Sequence, residues 1–150
     1  MRILVTGSRD WDDAGKVGTE LYRAIDCSPG LAPVTVVHGA CPTGADRIAS
    51  EFCESEAAHL EQRGVSLVEE RHPASWHHHG NRAGLKRNRE MVDAGADVCL
   101  AFIAPCSKPN CAGRDTHGSH GASHAADLAR RAGIPVRQFT PRDNAGGDAA

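Results

Sequence analysis

Residues suited to holding an anion follow a β-branched run at positions 34–37 and precede an apolar helical pattern. The turn between these segments carries Gly39, Thr43, Gly44 and Asp46. A strand, a glycine turn and a helix in this order aim unpaired backbone N–H groups and the positive end of the helix dipole at a phosphate. Thr43 suits a helix cap or a hydroxyl donor, whereas Asp46 suits a ribose hydroxyl or the helix dipole. Ordinary strand–helix turns that need glycine only for geometry match the same pattern.

Two further segments bring positive charge to predicted turns. Arg9 follows Gly7 and Ser8 after the first apolar run, and its guanidinium is a bidentate partner for phosphate. Lys86, Arg87 and Arg89 gather beside Asn88 at a predicted helix start, where their charge opposes the helix dipole. Such local conflicts are typical of functional sites. Taken singly, a surface arginine on a turn and a solvated basic face explain these segments at least as well.

The segment before the last predicted helix offers glycines and metal ligands. Gly118, Ser119 and Gly121 form a second possible anion cradle at a helix start. Cys106 and Cys111 are separated by four residues, and His117, His120 and His124 come after them. This spacing lies within the range of zinc sites, so Cys106, Cys111 and His117 are a possible metal set. A polar loop with free thiols and solvated histidines is the alternative.

Five short apolar runs alternate with helical patterns along the chain. Runs begin near residues 2, 34, 65, 97 and 134, the third covers residues 65–68, and helical patterns lie between them. Asp12 or Asp13 is predicted to cap the first helix, Ser28-Pro29-Gly30 to stop it, and Gly64 to end the second. Residues 71–82 are predicted to be irregular and polar. The run at 97–104 is apolar throughout, as a strand covered on both faces must be. Pro135 predicts an edge strand or a strand start. The alternation predicts an α/β, Rossmann-like, doubly wound and mainly parallel five-stranded sheet with helices on both faces.

This fold class predicts where a ligand would bind. In such sheets the site lies at the carboxyl ends of the strands, near the point where strand order reverses. The loops after the predicted strands hold most of the Gly, His and Arg residues of the chain. We therefore expect one domain over residues 1–140 with a site at that edge, and a disordered tail over residues 141–150.

Composition excludes several classes of function. The formal net charge is −2 and aromatic residues make up 4% of the chain, which disfavours nucleic-acid binding by stacking. No apolar run is long enough for a signal peptide or a membrane span. The six cysteines are scattered, and together with the missing signal they predict reduced thiols in a cytoplasmic protein.

The four glycine- and arginine-bearing segments together resemble the SLOG superfamily, the Rossmann-like group that includes the Smf/DprA and LOG proteins. Within it the chain is most similar to the YspA/YpsA-related branch found in bacteria and their phages, over about residues 2–139. The matching pieces are Ile3-Leu4-Val5-Thr6-Gly7-Ser8-Arg9, His38-Gly39-Ala40, Gly44-Ala45-Asp46, Trp76, Gly80, Ala83-Gly84, Arg87-Asn88, Met91, Gly121 and Gly133-Ile134-Pro135-Val136.

The resemblance implies that a nucleotide or nucleotide-derived phosphorylated ligand binds among these loops. It implies the ligand-binding residues Gly7, Ser8, Arg9, His38, Gly39, Thr43, Gly44, Asp46, Trp76, Arg87, Asn88, Gly118, Ser119 and Gly121. A homodimer is also expected by likeness to LOG proteins, whereas a membrane or nucleic-acid partner is not.

The alternative that the resemblance raises is a LOG-like nucleotide hydrolase that cleaves the N-glycosidic bond. LOG enzymes use an arginine four residues before a methionine, which Arg87 matches, and a glutamate whose position is Ala125 here. An oxocarbenium-like transition state needs a carboxylate, which alanine lacks. If the chain is an enzyme, Arg87 and Asp46 are its predicted catalytic residues, with Asp10 and Asp115 as substitutes for Asp46.

Overall fold

The computed structural model describes residues 1–28, 32–113 and 116–141. The strands are β1 (Arg2–Gly7), β2 (Val34–His38), β3 (Leu67–Arg71), β4 (Val98–Phe102) and β5 (Val136–Phe139). The helices are α1 (Ala14–Asp26), α2 (Gly44–Gln62), α3 (Trp76–His79), α4 (Ala83–Asp93) and α5 (His120–Arg131), and a 3₁₀ turn (Gly80–Arg82) joins α3 to α4.

All five strands are parallel and lie in the order β3-β2-β1-β4-β5. The first half of the chain therefore builds the sheet outward from β1 in one direction, and the second half builds it in the other. The strand order reverses between β1 and β4, whose carboxyl ends carry the loops that begin at Ser8 and Ile103. This arrangement confirms the predicted Rossmann-like sheet, and sheets of this kind commonly bind ligands at such a reversal point.

Two apolar clusters cover the two faces of the sheet. Alternate residues of β4 divide between them, because successive strand side chains point to opposite faces. Leu100 and Phe102 pack with α1 and α2, whereas Cys99 and Ala101 pack with α4 and α5. The buried run that was predicted for a doubly covered strand is thus confirmed, although the strand spans residues 98–102 and not 97–104.

The helix ends follow the predicted chemistry. The carboxylate of Asp13 accepts a hydrogen bond from the backbone N–H of Lys16 at 2.8 Å, so Asp13 is the N-cap of α1. Gly64 follows α2 at φ +80°, as the predicted glycine stop requires. Residues 29 and 30, which were expected to stop α1, and the predicted tail at 142–150 lie outside the described residues.

The segment between β2 and α4 differs most from the prediction. β3 spans residues 67–71 and not 65–68, because its polar side chains Glu69 and Glu70 form ion pairs with residues of β2 and β1. Residues 76–79 form the short helix α3 where irregular chain was expected. No helix in the described parts of the chain has the length and apolar character needed to cross a bilayer.

Candidate functional site

The loop after β1 is built into the point where strand order reverses. The backbone N–H of Ser8 donates to the carbonyl of Phe102 at 2.9 Å, and the Ser8 hydroxyl accepts from the N–H of Ala104 at 2.9 Å. Ser8 is buried, so these bonds leave its hydroxyl little access to a ligand. Ser8 therefore joins the carboxyl ends of β1 and β4, and Arg9 leaves this junction as an exposed side chain.

Gly44 brings the start of α2 against the same loop. Its φ is +69°, which L-residues rarely adopt, and a Cβ atom there would collide with the carbonyl oxygen of Ser8. Gly7 is equally constrained, since a Cβ on it would collide with the side chain of Ala45. On the side of each glycine where a Cβ atom would stand, the space is therefore occupied by protein atoms. Thr43, the exposed N-cap of α2, forms no side-chain capping bond, and its hydroxyl lies 3.8 Å from Sγ of Cys41.

Arg87 lies over the turn after β2. Its Nη1 donates to the carbonyl oxygens of Gly39 and of His72, the latter at 3.4 Å, and lies 4.0 Å from Oδ2 of Asp46. A Cβ on Gly39 would collide with this guanidinium, so the close approach requires glycine. Within the described residues no acceptor contacts Nη2 of Arg87, and the side chain is 17% exposed. That nitrogen is the part of Arg87 free to donate to a ligand.

Charge at this turn is predominantly positive. Burial lowers the pKa of Arg87, and the nearby charge of Arg9 lowers it as well, while Asp46 opposes both effects. An arginine still remains protonated at neutral pH. Burial raises the pKa of Asp46, against the opposing effects of Arg87 and of the backbone N–H of Cys41, which donates to Oδ2 at 3.2 Å. The buried carboxylate of Asp46 thus faces the guanidinium of Arg87.

Trp76 adds an aromatic surface to the arginines. The guanidinium carbon of Arg9 lies 5.8 Å from the centroid of the Trp76 ring, within range of a cation–π contact. The indole is 49% exposed, an unusual fraction for tryptophan in a folded protein. Because α3 begins at Trp76, the helix that the sequence did not predict is the element that holds this ring next to Arg9.

His38 has a supporting position behind the turn. Its Nδ1 accepts from the N–H of Ala40 at 3.1 Å, so the proton lies on Nε2, which donates to Glu69 at 2.8 Å. Burial raises the pKa of Glu69, but hydrogen bonds from Ser50 and His38 outweigh that effect and lower it. The buried His38 ring therefore uses both nitrogens within the protein and stabilises the turn at Ala40, whose φ is +53°.

Asn88 connects Arg87 to the start of α5. Its Oδ1 accepts from Nε of Arg87 at 2.9 Å, and its Nδ2 donates to the carbonyl of Gly121 at 3.1 Å. Gly118 is required by packing, because a Cβ there would collide with Ile103. Ser119 donates its N–H to the carbonyl of Ala104 at 2.9 Å and caps α5 without a side-chain bond. Asn88 thereby links the predicted anion-binding segment at the start of α5 to the one between β2 and α2.

The predicted site residues thus form one connected set beside the carboxyl ends of β1, β2 and β4. Protein contacts occupy the polar side chains of Ser8, His38 and Asn88. The side chains that keep access to solvent are those of Arg9, Thr43, Trp76, Ser119 and part of Arg87. Sequence reasoning missed Glu69 and Ser50, which orient His38; the signal was the acidic pair Glu69-Glu70 directly after a predicted apolar strand.

Among the described residues, Asp46 is the candidate acid that contacts this set. Ala125, at the position of the LOG glutamate, is fully buried within α5. Asp10 lines a small cavity with Trp11, Asp12 and Asp13 on the α1 side of the loop. Asp115 lies outside the described residues.

The predicted metal ligands cluster separately from the arginines. Cys106, Cys111 and His117 come together with His120, whereas His124 faces Asn88 at 3.4 Å. All six cysteines are free thiols in the structure.

Comparison with known proteins agrees with this architecture. The profile of the YspA, cpYpsA-related SLOG family matches residues 1–79, which include β1, β2, β3 and the turns that carry Arg9 and Asp46. The Gene 61 protein of Mycobacterium phage D29 is 42% identical over 139 residues, which cover 92% of this chain and 95% of that protein. No solved structure matches the chain. The chain belongs to the YspA, cpYpsA-related SLOG family.

Proposed function

We propose that the protein binds a nucleotide or nucleotide-derived phosphorylated ligand between Arg9, Trp76 and Arg87. The observation that carries the proposal is the contact of the exposed Trp76 indole with the guanidinium of Arg9, whose backbone lies against Gly44 at the start of α2. The charge of Arg9 also lowers the pKa of Arg87, and an anion bound by both side chains would relieve that repulsion.

The accessible groups suit the parts of a nucleotide. A phosphate accepts from Arg9, from Nη2 of Arg87 and from the hydroxyl of Thr43, and the partial positive charge at the start of α2 adds to the attraction. The exposed ring of Trp76 offers a stacking surface for a base. Asp46 contributes through Arg87, whose guanidinium it helps to hold, and its burial leaves it poorly placed for a sugar hydroxyl.

The expected affinity follows from the number of charged contacts. Hydrogen bonds to charged groups contribute about 1.5–3 kcal/mol each. Three or four such bonds, less several kcal/mol for association, give a dissociation constant that is roughly micromolar.

Titration calorimetry with a panel of AMP, cyclic nucleotides, ADP-ribose and NAD tests the proposal. We expect at least one member to bind and the Arg9→Ala variant to bind it roughly ten- to a hundredfold more weakly. Arg47→Ala is the matched control, because Arg47 is an exposed arginine on α2 that pairs with Glu51. Absence of heat and of any melting-temperature shift with every member at millimolar concentration would contradict the proposal.

A nucleotide hydrolase is the second candidate, and the buried carboxylate beside Arg87 is the observation that favours it. Because burial raises the pKa of Asp46, its carboxyl is more readily protonated than an exposed aspartate and suits general acid chemistry. Chromatography after incubation with nucleoside monophosphates separates the two functions. Base release that is lost in Asp46→Asn supports the hydrolase, whereas bound but intact nucleotide supports the binding function alone.

A further inference from the structure

The loop between β4 and α5 brings four soft donor atoms together at the protein surface. Sγ of Cys111 lies 3.4 Å from Nε2 of His117 and 3.4 Å from Nε2 of His120, and the two imidazole nitrogens are 2.9 Å apart. Sγ of Cys106 completes the group, in which all donor atoms lie within 4.8 Å of one another. We propose that Cys106, Cys111, His117 and His120 bind one zinc ion with tetrahedral geometry.

The dimensions of the cluster match a zinc site. Tetrahedral zinc with two sulfur and two nitrogen ligands requires donor atoms separated by about 3.3–3.8 Å. The distances from Sγ of Cys111 to the two histidine nitrogens already have that value, the two imidazole nitrogens need to separate by a few tenths of an ångström, and Sγ of Cys106 lies within 4.8 Å of the other donors. Two thiolates balance the charge of the dication, and mixed sulfur and imidazole ligation selects zinc over magnesium or calcium.

The backbone of the loop arranges these donors. Cys106 follows β4 and is buried, and its N–H donates to the carbonyl of His117 at 2.9 Å. A bridge between Pro105 and Gly118 closes the base of the loop, and His120 is the first residue of α5. The described residues of this loop are mostly exposed and polar, so a metal ion would supply a cross-link that apolar packing does not.

The ligand set indicates a structural site. All four tetrahedral positions are taken by protein side chains, and a catalytic zinc keeps one position for water or substrate. The ion would hold the first residue of α5 against the end of β4. It lies apart from Arg9 and Arg87, so zinc binding does not depend on the proposed nucleotide function.

Metal analysis of the untagged protein, purified without chelator, tests the proposal. We expect a metal content of about one zinc ion per chain by elemental mass spectrometry. Cys111→Ser and His120→Gln should each lower zinc content roughly tenfold or more in protein washed with a weak chelator. Cys27→Ser and His78→Gln are the matched controls, because both residues are exposed and lie outside the cluster, and they should retain the wild-type content.

Cobalt substitution gives a readout that does not depend on the variants folding. Cobalt(II) added to the metal-free wild type should produce the intense visible bands of tetrahedral coordination and a thiolate charge-transfer band. Zinc below about a tenth of an equivalent together with no cobalt spectrum would overturn the proposal. A disulfide between Cys106 and Cys111 in freshly purified protein, found by mass spectrometry without reduction, would overturn it as well. The presence or absence of bound zinc neither supports nor contradicts nucleotide binding, which the calorimetric titration tests separately.

Discussion

At the scale of single residues, the site depends on one buried carboxylate and the arginine that faces it. Asp46 is 8% exposed and accepts from the N–H of Cys41, while Arg87 also donates to two carbonyl oxygens. The guanidinium of Arg87 therefore donates to carbonyl oxygens around the turn and also offsets the negative charge of Asp46. Removal of Arg87 leaves Asp46 without its counter-charge in a poorly solvated position, which is the more costly half of any buried ion pair.

We expect Arg87→Ala to lower the free energy of unfolding by about 2–3 kcal/mol at neutral pH. The double variant Arg87→Ala/Asp46→Asn should recover part of that loss, because no unpaired charge remains. A carboxyl whose pKa is raised in the folded state favours that state when it takes up a proton, so the loss should shrink as the pH falls. Urea denaturation at several pH values measures these differences.

Arg89→Ala is the control for this prediction, since Arg89 is an exposed neighbour on the same helix. Arg89→Ala should change the free energy of unfolding by no more than about 0.5 kcal/mol. Equal losses in the single and double variants would contradict the role assigned to the pair.

At the scale of elements, the start of α2 is positioned by contact with the loop after β1. Gly44 combines a positive φ with a position directly against the carbonyl of Ser8. Gly64, beyond the other end of the same helix, has a similar φ of +80° but open space around it. Alanine substitutions at these two glycines therefore distinguish the cost of backbone strain alone from the cost of strain combined with a steric collision.

Gly64→Ala should lower the free energy of unfolding by about 1 kcal/mol, which is the strain of an alanine in the left-handed backbone conformation. Gly44→Ala should cost clearly more, about 3 kcal/mol or above, because α2 must also move away from Ser8. Thermal unfolding followed by circular dichroism measures both. Similar losses in the two variants would show that α2 does not rest on the loop after β1.

At the scale of the whole molecule, Arg2 joins parts of the sheet that are distant in the chain. Its guanidinium forms a two-pronged ion pair with Glu70 on β3, at 2.7 and 2.9 Å, across the intervening strand β2. Its Nε donates to the carbonyl of Gly95, which follows α4, at 3.0 Å. One side chain at the start of β1 therefore contacts both halves of the fold.

Hydrogen bonds from Arg2 and then His72 lower the pKa of Glu70 to about 2. Because the folded-state pKa is depressed, Glu70 contributes stability above the unfolded pKa of about 4.5, and that stability is lost as the pH falls towards 2. The side chain is 34% exposed, so solvent screening reduces the contribution to about 1 kcal/mol.

Glu70→Gln should therefore lower the free energy of unfolding by about 1 kcal/mol at pH 7, and the difference from wild type should disappear at low pH. Glu51→Gln removes an exposed helical pair with Arg47 and should cost about 0.3–0.5 kcal/mol. Urea denaturation across the acid range gives both values. A Glu70 difference that persists at low pH would refute the assignment.

The sequence by itself determined the elements whose signals are local. An unbroken apolar run identifies β4, an aspartate at position 12 or 13 caps α1, and Gly64 ends α2, because each depends on residues a few positions apart. Strand and helix alternation then restricts the fold to a parallel, doubly wound sheet. The clustering of glycine and arginine after strands predicts a ligand site at the carboxyl edge of that sheet.

Tertiary structure alone decided which of those residues keep access to solvent. Arg87 meets the carbonyl of Gly39 across 48 positions of sequence, and Ser8 meets Ala104 across 96. Such contacts depend on how the crossover helices pack. This packing produces no periodic pattern in the amino-acid sequence. Packing likewise gave β3 its polar partners and brought His120 to the cysteines. The close contacts of Gly7 with Ala45 and of Gly44 with Ser8 likewise depend on neighbours from other elements.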